Sequence, residues 1–237
     1  MDDFTDLLPC PAAQPDRPFL GMTILVVEDS RLSCETLRLM CLRSGARIRR
    51  ADCLASASRH LKVYRPSAVI VDMGLPDGCG DTLIADLAAA TPRVGVLLGM
   101  SGDDGARDLA MAAGADGFLA KPLENLAQFQ AAILRVLPDA DEPKGPRLLS
   151  GGSIQPDQSA MRDDMAHVAA MLKADDTPPY SYIAQFLSGV ARTARDAPLA
   201  RAAEDLGRCP AGKGRRRNRA ASILRMVQER LEHVDAI

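Results

Sequence analysis

No stretch of the 237 residues is apolar over the roughly 20 positions that a helix needs to cross a bilayer. The first residues, MDDFTDLLPCP, are acidic and meet proline early, so they lack the basic and apolar parts of a secretory signal. A membrane partner is therefore not expected, and the cytoplasm is the expected location. Six cysteines are present, Cys10, Cys34, Cys41, Cys53, Cys79 and Cys209, but no two have CxxC spacing. None of the three histidines stands beside them at a zinc-like interval, which argues against a structural zinc site and for reduced thiols. Cys34 and Cys41, seven apart, fall on one face of a predicted helix. A strong excess of positive charge is missing too: the formal charge is −2, with residues 1–150 acidic and 151–237 slightly basic. Neither part is basic enough to demand nucleic acid.

What is present is an alternation. Residues 1–21 are rich in proline and acid without an apolar period, and read as a tail. From Thr23 onward, short apolar runs alternate with amphipathic stretches. Strands are predicted over 24–27, 46–51, 68–71, 94–98 and 117–120. Helices are predicted over 30–44, 54–63, 80–90, 104–113 and from Pro122 to about Leu137. Gly45, Pro66, Thr91-Pro92 and Gly114 punctuate the series, and Pro122 suits the first turn of a helix. Continuous apolar strands alternating with helices imply a parallel sheet covered on both faces, a flavodoxin-like (βα)5 doubly wound α/β domain over 22–138.

Residues 139–158 are dominated by proline, glycine and charge and read as a linker. No strand pattern follows. Four apolar stripes do: Met161, Met165, Val168 and Leu172; Tyr182, Ile183, Phe186, Leu187 and Val190; Leu199, Ala202, Ala203 and Leu206; Ile223, Leu224, Val227, Leu231 and Val234. Each stripe must be buried against something, so 159–237 is expected to be a small all-α domain.

Chemistry collects where the predicted strands end. TILVVEDS places Glu28 and Asp29 after the first strand, AVIVDMGLPDG places Asp72 at the end of the third, Ser101 follows the fourth, and FLAKP places Lys121 after the fifth. In an open parallel sheet these ends lie along one edge and form one crevice. A carboxylate there can accept a phosphoryl group as an acyl phosphate. Clustered carboxylates call for a hard divalent cation such as Mg²⁺, which takes oxygen ligands and keeps several waters. Lys121 supplies a compact positive group and Ser101 a hydroxyl donor for phosphoryl oxygens. Taken singly, each residue has a plainer role: a helix cap for Glu28 or Asp29, a loop acid for Asp72, a solvated lysine for Lys121.

These residues in this order resemble the receiver domain of two-component response regulators. The resemblance rests on Glu28-Asp29, Asp72, Leu75-Pro76 with Gly78, Ser101 and Lys121-Pro122, and covers about residues 22–138. It implies a phosphoacceptor, Asp72, served by a sensor histidine kinase or histidine phosphotransfer protein, and no turnover beyond slow loss of the phosphoryl group. It also implies Mg²⁺ held by Glu28, Asp29, Asp72 and the backbone carbonyl of Gly74. Phe118 matches the aromatic switch residue of the family; a buried strand phenylalanine fits the same position. The spacing to Lys121 leaves the hydroxyl position between Ser101 and Gly99, with the distance from Asp72 favouring Ser101. Phosphorylation would remodel the face of the fourth and fifth helices beside Phe118, through a homodimer or through the helical domain.

Three outputs compete for the second half. A protein-interaction or dimerisation bundle is ranked first. DNA binding is second: Ala203 and Gly207 have helix-turn-helix spacing, and GKGRRRNR carries Arg215, Arg216, Arg217 and Arg219. Pro210, Gly212 and Gly214 would make that turn long, and a charge run is usually a solvated loop. Histidine phosphotransfer is third, because His167 lacks the HxxKG context. For the whole chain, an aspartyl-phosphate hydrolase is a further alternative, but such enzymes resemble DxDxT, whereas Asp72 precedes MGLPDG.

Overall fold

The structure is a computed structural model and describes residues 16–103, 105–123, 125–137, 157–174, 178–210 and 213–234. The first half runs β1 (Thr23–Val27), α1 (Arg31–Arg43), β2 (Arg47–Ala51), α2 (Leu54–Val63), β3 (Ala68–Asp72), β4 (Gly74–Leu75), β5 (Gly78–Cys79), α3 (Gly80–Ala89), β6 (Val96–Ser101), α4 (Ala106–Ala112), β7 (Gly117–Ala120) and α5 (Leu126–Leu134). Strands β2-β1-β3-β6-β7 form one parallel sheet in that order, and β4 and β5 make a two-residue antiparallel pair beside it.

Strands β1, β3 and β6 are mostly apolar because both sheet faces are covered there, whereas the edge strand β2, RIRRA, is largely exposed. Alternate residues of each strand point to opposite faces. Ile24, Val26, Ile70, Leu98 and Met100 pack with Leu37, Met40 and Cys41 of α1 and with Phe129 and Ile133 of α5. Leu25, Val27, Val69, Val71 and Leu97 pack on the other side, with Ala57 of α2, Ile84 of α3 and Ala110 of α4. Ser30 caps α1 by accepting from the Ser33 backbone N–H, and Gly45 ends that helix with φ 87°, a conformation that a residue with a Cβ rarely adopts.

Several boundaries differ from the sequence reading. The tail does not extend to residue 21: Phe19 is wholly buried, stacks edge-on against Phe129 with ring centroids 6.0 Å apart, and its N–H donates to the Ser44 carbonyl. One large aromatic on an otherwise polar segment is enough to anchor it to the core. The fourth strand of the sheet, β6, lies over Val96–Ser101 rather than 94–98. Helix α5 begins at Leu126, not at Pro122, because Asn125 is the cap and accepts from the Ala127 N–H. Most of the predicted linker, 138–156, lies outside the described residues.

The second half is α6 (Gln158–Ala174), α7 (Tyr180–Thr193), α8 (Ala197–Gly207) and α9 (Lys213–Val234). Successive helices touch, and α9 returns against α6 to close the bundle. Its core contains Met165, Val168, Ile183, Leu187, Val190, Leu199, Leu206, Ile223 and Val227, drawn from all four predicted stripes; the side chain of Val234 lies outside the described residues. Asp196 caps α8 by accepting from Leu199 N–H, 3.1 Å, and its carboxylate is gripped by Arg230 of α9. The bundle sits on the first half through α6 and α7, which pack on α1, while α7 also reaches β4. Among the described residues no helix is long and apolar enough to cross a membrane.

Candidate functional site

The C-terminal ends of β1, β3, β6 and β7 bring Glu28, Asp29, Asp72, Ser101 and Lys121 to one pocket. One ligand oxygen from each of Glu28, Asp29 and Asp72 lies within 4.8 Å of the other two. Glu28 and Asp72 are buried and Asp29 partly so. The Lys121 ammonium stands 2.6 Å from Glu28 Oε2 and 2.8 Å from Asp72 Oδ1. Backbone N–H groups hold the remaining oxygens: Ser30 donates to Glu28 Oε1 at 3.0 Å, and Gly74 to Asp72 Oδ2 at 3.1 Å.

Three carboxylates therefore share one ammonium. Burial pushes the Glu28 carboxyl well above the ordinary carboxylate range, despite the attraction of Lys121. Burial raises Asp29 as well, against the opposing hydrogen bond from Tyr182. Burial alone would lower Lys121, but the charges of Asp72 and Glu28 outweigh it and raise its pKa. Hard oxygen donors, close spacing and an excess of negative charge match what a small divalent cation requires. Residues Glu28, Asp29 and Asp72 could hold it.

Ser101 is buried, lines this pocket, and accepts from the Asp103 N–H through its hydroxyl at 3.1 Å. Gly99 lies two residues earlier, inside β6, and pairs with Phe118. A Cβ at Gly99 would stand 2.6 Å from that of Ala110, so this position faces α4 and not the carboxylates. The hydroxyl that reaches the pocket is that of Ser101. Phe118 is half-buried on β7 and packs with the α3–α4 side of the core. Gly74 lines the pocket from β4.

Sequence reasoning missed the far wall. The pocket is part of a cavity of about 400 Å³ roofed by α7 and α8, with Gln185, Ser188 and Arg192 among its lining. Tyr182 donates its hydroxyl to Asp29 Oδ2 at 2.5 Å. Arg192 donates to the Gly102 carbonyl at 2.6 Å and pairs with Glu204 at 2.6 Å. Asp164 of α6 is buried and accepts from Ser30 Oγ (2.7 Å), Arg31 N–H (2.8 Å) and Leu32 N–H (3.0 Å). Burial raises its pKa, opposed by those N–H donors. Tyr182 had a place only on an apolar stripe, and no local pattern marks Asp164 as the cap of a helix more than 130 residues earlier.

The remaining candidates lie elsewhere. His167 is exposed on α6, edge-on to Phe186. The basic run is not a loop: Lys213 opens α9, so the arginines stand on its first turns. Arg216 donates to the Cys209 carbonyl at 2.9 and 3.0 Å, and Arg219 to the Asp205 carbonyl, while Arg215 and Arg217 are exposed. The Cys34 and Cys41 thiols are buried, and burial pushes both up to about 12.

The family model described as the response regulator receiver domain matches residues 24–133. The KDP operon transcriptional regulatory protein KdpE of Escherichia coli K12 is 30% identical over 110 residues, 46% of this chain and 48% of that protein. The virulence transcriptional regulatory protein PhoP of Salmonella typhimurium 14028s is 32% identical over 119 residues, 48% of this chain and 53% of that protein. The chain thus spans about half the length of these curated relatives. Among solved structures, a two-component response regulator from Clostridium difficile is similar, with 25% identity and TM-score 0.43 over 48% of this chain and 96% of that one. So is the receiver domain of a sensor histidine kinase from Pseudomonas aeruginosa PAO1, described with a magnesium ion coordinated in its active site cleft (25%, TM-score 0.44, 48% and 96%). The matched segment ends before the helical bundle.

Proposed function

We propose, residues 24–133 being a response regulator receiver domain, that the chain is a two-component response regulator whose Asp72 takes a phosphoryl group and whose helical half delivers the output. One observation carries this reading: Asp72 ends β3 with one oxygen on Lys121 and the other on the Gly74 N–H, beside Glu28 and Asp29.

An Asp72 oxygen attacks the donor's phosphorus. The bond from phosphorus to the leaving atom breaks, and its electron pair stays with the donor. That atom is a ring nitrogen of a phosphohistidine, in a sensor kinase or phosphotransfer protein, or a carboxylate oxygen of acetyl phosphate. The product is an acyl phosphate on Asp72. Lys121 neutralises oxygen charge as the group arrives, and the Ser101 hydroxyl faces a phosphoryl oxygen. A divalent cation such as Mg²⁺, held by Glu28, Asp29, Asp72 and the Gly74 carbonyl, supplies charge neutralisation and orientation. No multiple-turnover activity is assigned, and the protein works in the cytoplasm.

Output runs through protein contact. Arg216 and Arg219 are engaged with carbonyls of their own bundle, while Arg215, Arg217 and Arg219 are exposed. The names of the relatives favour DNA as the second reading, yet their similarity covers only the receiver half. Leu109 and Met111 are exposed on α4, so that face remains free for a second receiver.

Intact-mass analysis after incubation with Mg²⁺ and acetyl phosphate tests the assignment. One phosphoryl group per chain is expected in the wild type and none in Asp72→Asn. Full labelling of Asp72→Asn overturns it.

A further inference from the structure

The bundle covers the receiver at the one place where a phosphoryl donor must arrive. We infer that the helical half is a lid over the phosphoacceptor pocket, latched by Asp164 on the start of α1 and by Tyr182 on Asp29, and that it lifts when the pocket is loaded. The inference rests on Asp72 and its acidic neighbours being the receiver site.

Two latches hold the lid. The first is the Asp164 carboxylate, which accepts three hydrogen bonds at the beginning of α1, from Ser30 Oγ and the N–H groups of Arg31 and Leu32. Asp163 adds a more exposed pair with Arg31 at 2.9 Å. These bonds are made to the segment that directly follows Glu28 and Asp29, so any shift of the bundle is felt at the pocket. The second is Tyr182, whose hydroxyl donates to Asp29 Oδ2. Asp29 is one of the three clustered carboxylates. Gln185 closes the space over the β3–β4 turn: a Cβ at Gly74 would come within 2.7 Å of three of its side-chain atoms. Arg192 ties the other rim to Gly102, next to Ser101.

The roof and a loaded pocket compete. Mg²⁺ would need oxygen from Asp29, and the Tyr182 hydroxyl already holds Asp29 Oδ2. A small phosphodonor has the cavity of about 400 Å³ below Gln185 and Arg192, but a protein donor must place its own surface where α7 lies. The closed form therefore disfavours the metal and the protein donor, and each disfavours the closed form by the same factor.

The interface is built to part. Among the described residues only Leu32 of the receiver joins the buried core of the bundle. The two latches, with Gln185 and Arg192, are polar groups that water can satisfy once the halves separate. The bundle's own apolar stripes face one another, so it keeps its core when lifted.

The test uses the full chain. Mg²⁺ affinity is read by titration calorimetry, and backbone hydrogen exchange is read with and without Mg²⁺ plus beryllofluoride. Tyr182→Phe keeps the packing and removes the hydroxyl, so Mg²⁺ should bind at least about ten-fold more tightly, the scale of one hydrogen bond to a charged acceptor. Asp164→Ala should tighten Mg²⁺ further and speed labelling of Asp72 by acetyl phosphate. Beryllofluoride should raise exchange at the start of α1 and across 178–193 in the wild type. Unchanged or weaker Mg²⁺ binding in Tyr182→Phe, or greater protection of α7 on loading, overturns the lid. If Asp164→Ala does not fold, Tyr182→Phe and the wild-type exchange decide alone. If no form binds Mg²⁺ or labels Asp72, the receiver reading falls and the lid with it. Normal binding and labelling, indifferent to Tyr182, remove only the lid.

Discussion

The two halves of the molecule treat their carboxylates in opposite ways. In the bundle the half-buried Asp196 and Glu204 each have arginine partners. Asp196 is held by Arg230 and by the Leu199 N–H, and Glu204 lies between Arg192 and Arg208. Arg230 lowers the pKa of Asp196, and Arg192 that of Glu204. In the receiver, Glu28, Asp29 and Asp72 crowd around Lys121, and burial raises Glu28 and Asp29. In the pocket one ammonium offsets only part of the clustered negative charge, and a further cation would offset more of it. Asp164 is the exception that joins the two: a bundle acid, raised by burial, whose partners all belong to α1.

Lys121→Ala breaks the comparison most severely. It leaves the buried Glu28 and Asp72 carboxylates without their cation, a loss of about 3 kcal/mol at neutral pH. Urea unfolding without metal should show this loss. It should shrink as the pH falls, because the carboxyl of Glu28, already raised by burial, takes up a proton instead. Mg²⁺ should restore part of the stability.

Asp196→Ala is the matching test in the bundle. The side chain is only 16% exposed, caps α8 and clamps α9, so its removal should cost about 1–2 kcal/mol. As with Lys121→Ala the loss should shrink in acid, here because a depressed rather than a raised carboxyl takes up its proton. Because Arg230 depresses the folded pKa of Asp196, its contribution is present above the ordinary aspartate value. It fades as the pH falls through the depressed one. Stability curves of wild type and variant should therefore converge in acid, and divergence there would show that the clamp is not electrostatic.

The receiver was legible because its signals are local. A β-branched run followed by an acid, repeated in order, fixes both the strands and which end of the sheet carries the chemistry. Glu28, Asp29, Asp72, Ser101 and Lys121 all meet in the pocket for that reason. The four bundle helices were legible from their stripes, since a buried stripe has a period even when its partner is unknown. Phe19 was not, because one aromatic in a polar, proline-rich stretch has no periodicity to announce that it fills a hole beside Phe129. The roof was illegible for a deeper reason. Tyr182–Asp29 and Asp164–Ser30 are single polar contacts across more than 130 residues, and nothing in either segment requires the other.

The smallest expected effect concerns Arg215 and Arg217. The run GKGRRRNR is the strongest cluster of positive charge in the sequence, yet its members separate by role once α9 forms. Arg216 and Arg219 tie the start of α9 to the end of α8 through the Cys209 and Asp205 carbonyls, Arg219 while itself exposed, and Arg215 and Arg217 are exposed too. Replacing Arg215 and Arg217 with alanine should leave urea unfolding unchanged. The effect on DNA separates the two readings of the bundle. Two exposed arginines release few counterions, so duplex binding should be weak, shallow in salt dependence and the same in the double variant. Binding that steepens with falling salt and drops on replacement of Arg215 and Arg217 would give the bundle a nucleic-acid face. Its start would lie on α9, away from the latches on α6 and α7, and the same bundle would then have one surface for the receiver and another for DNA.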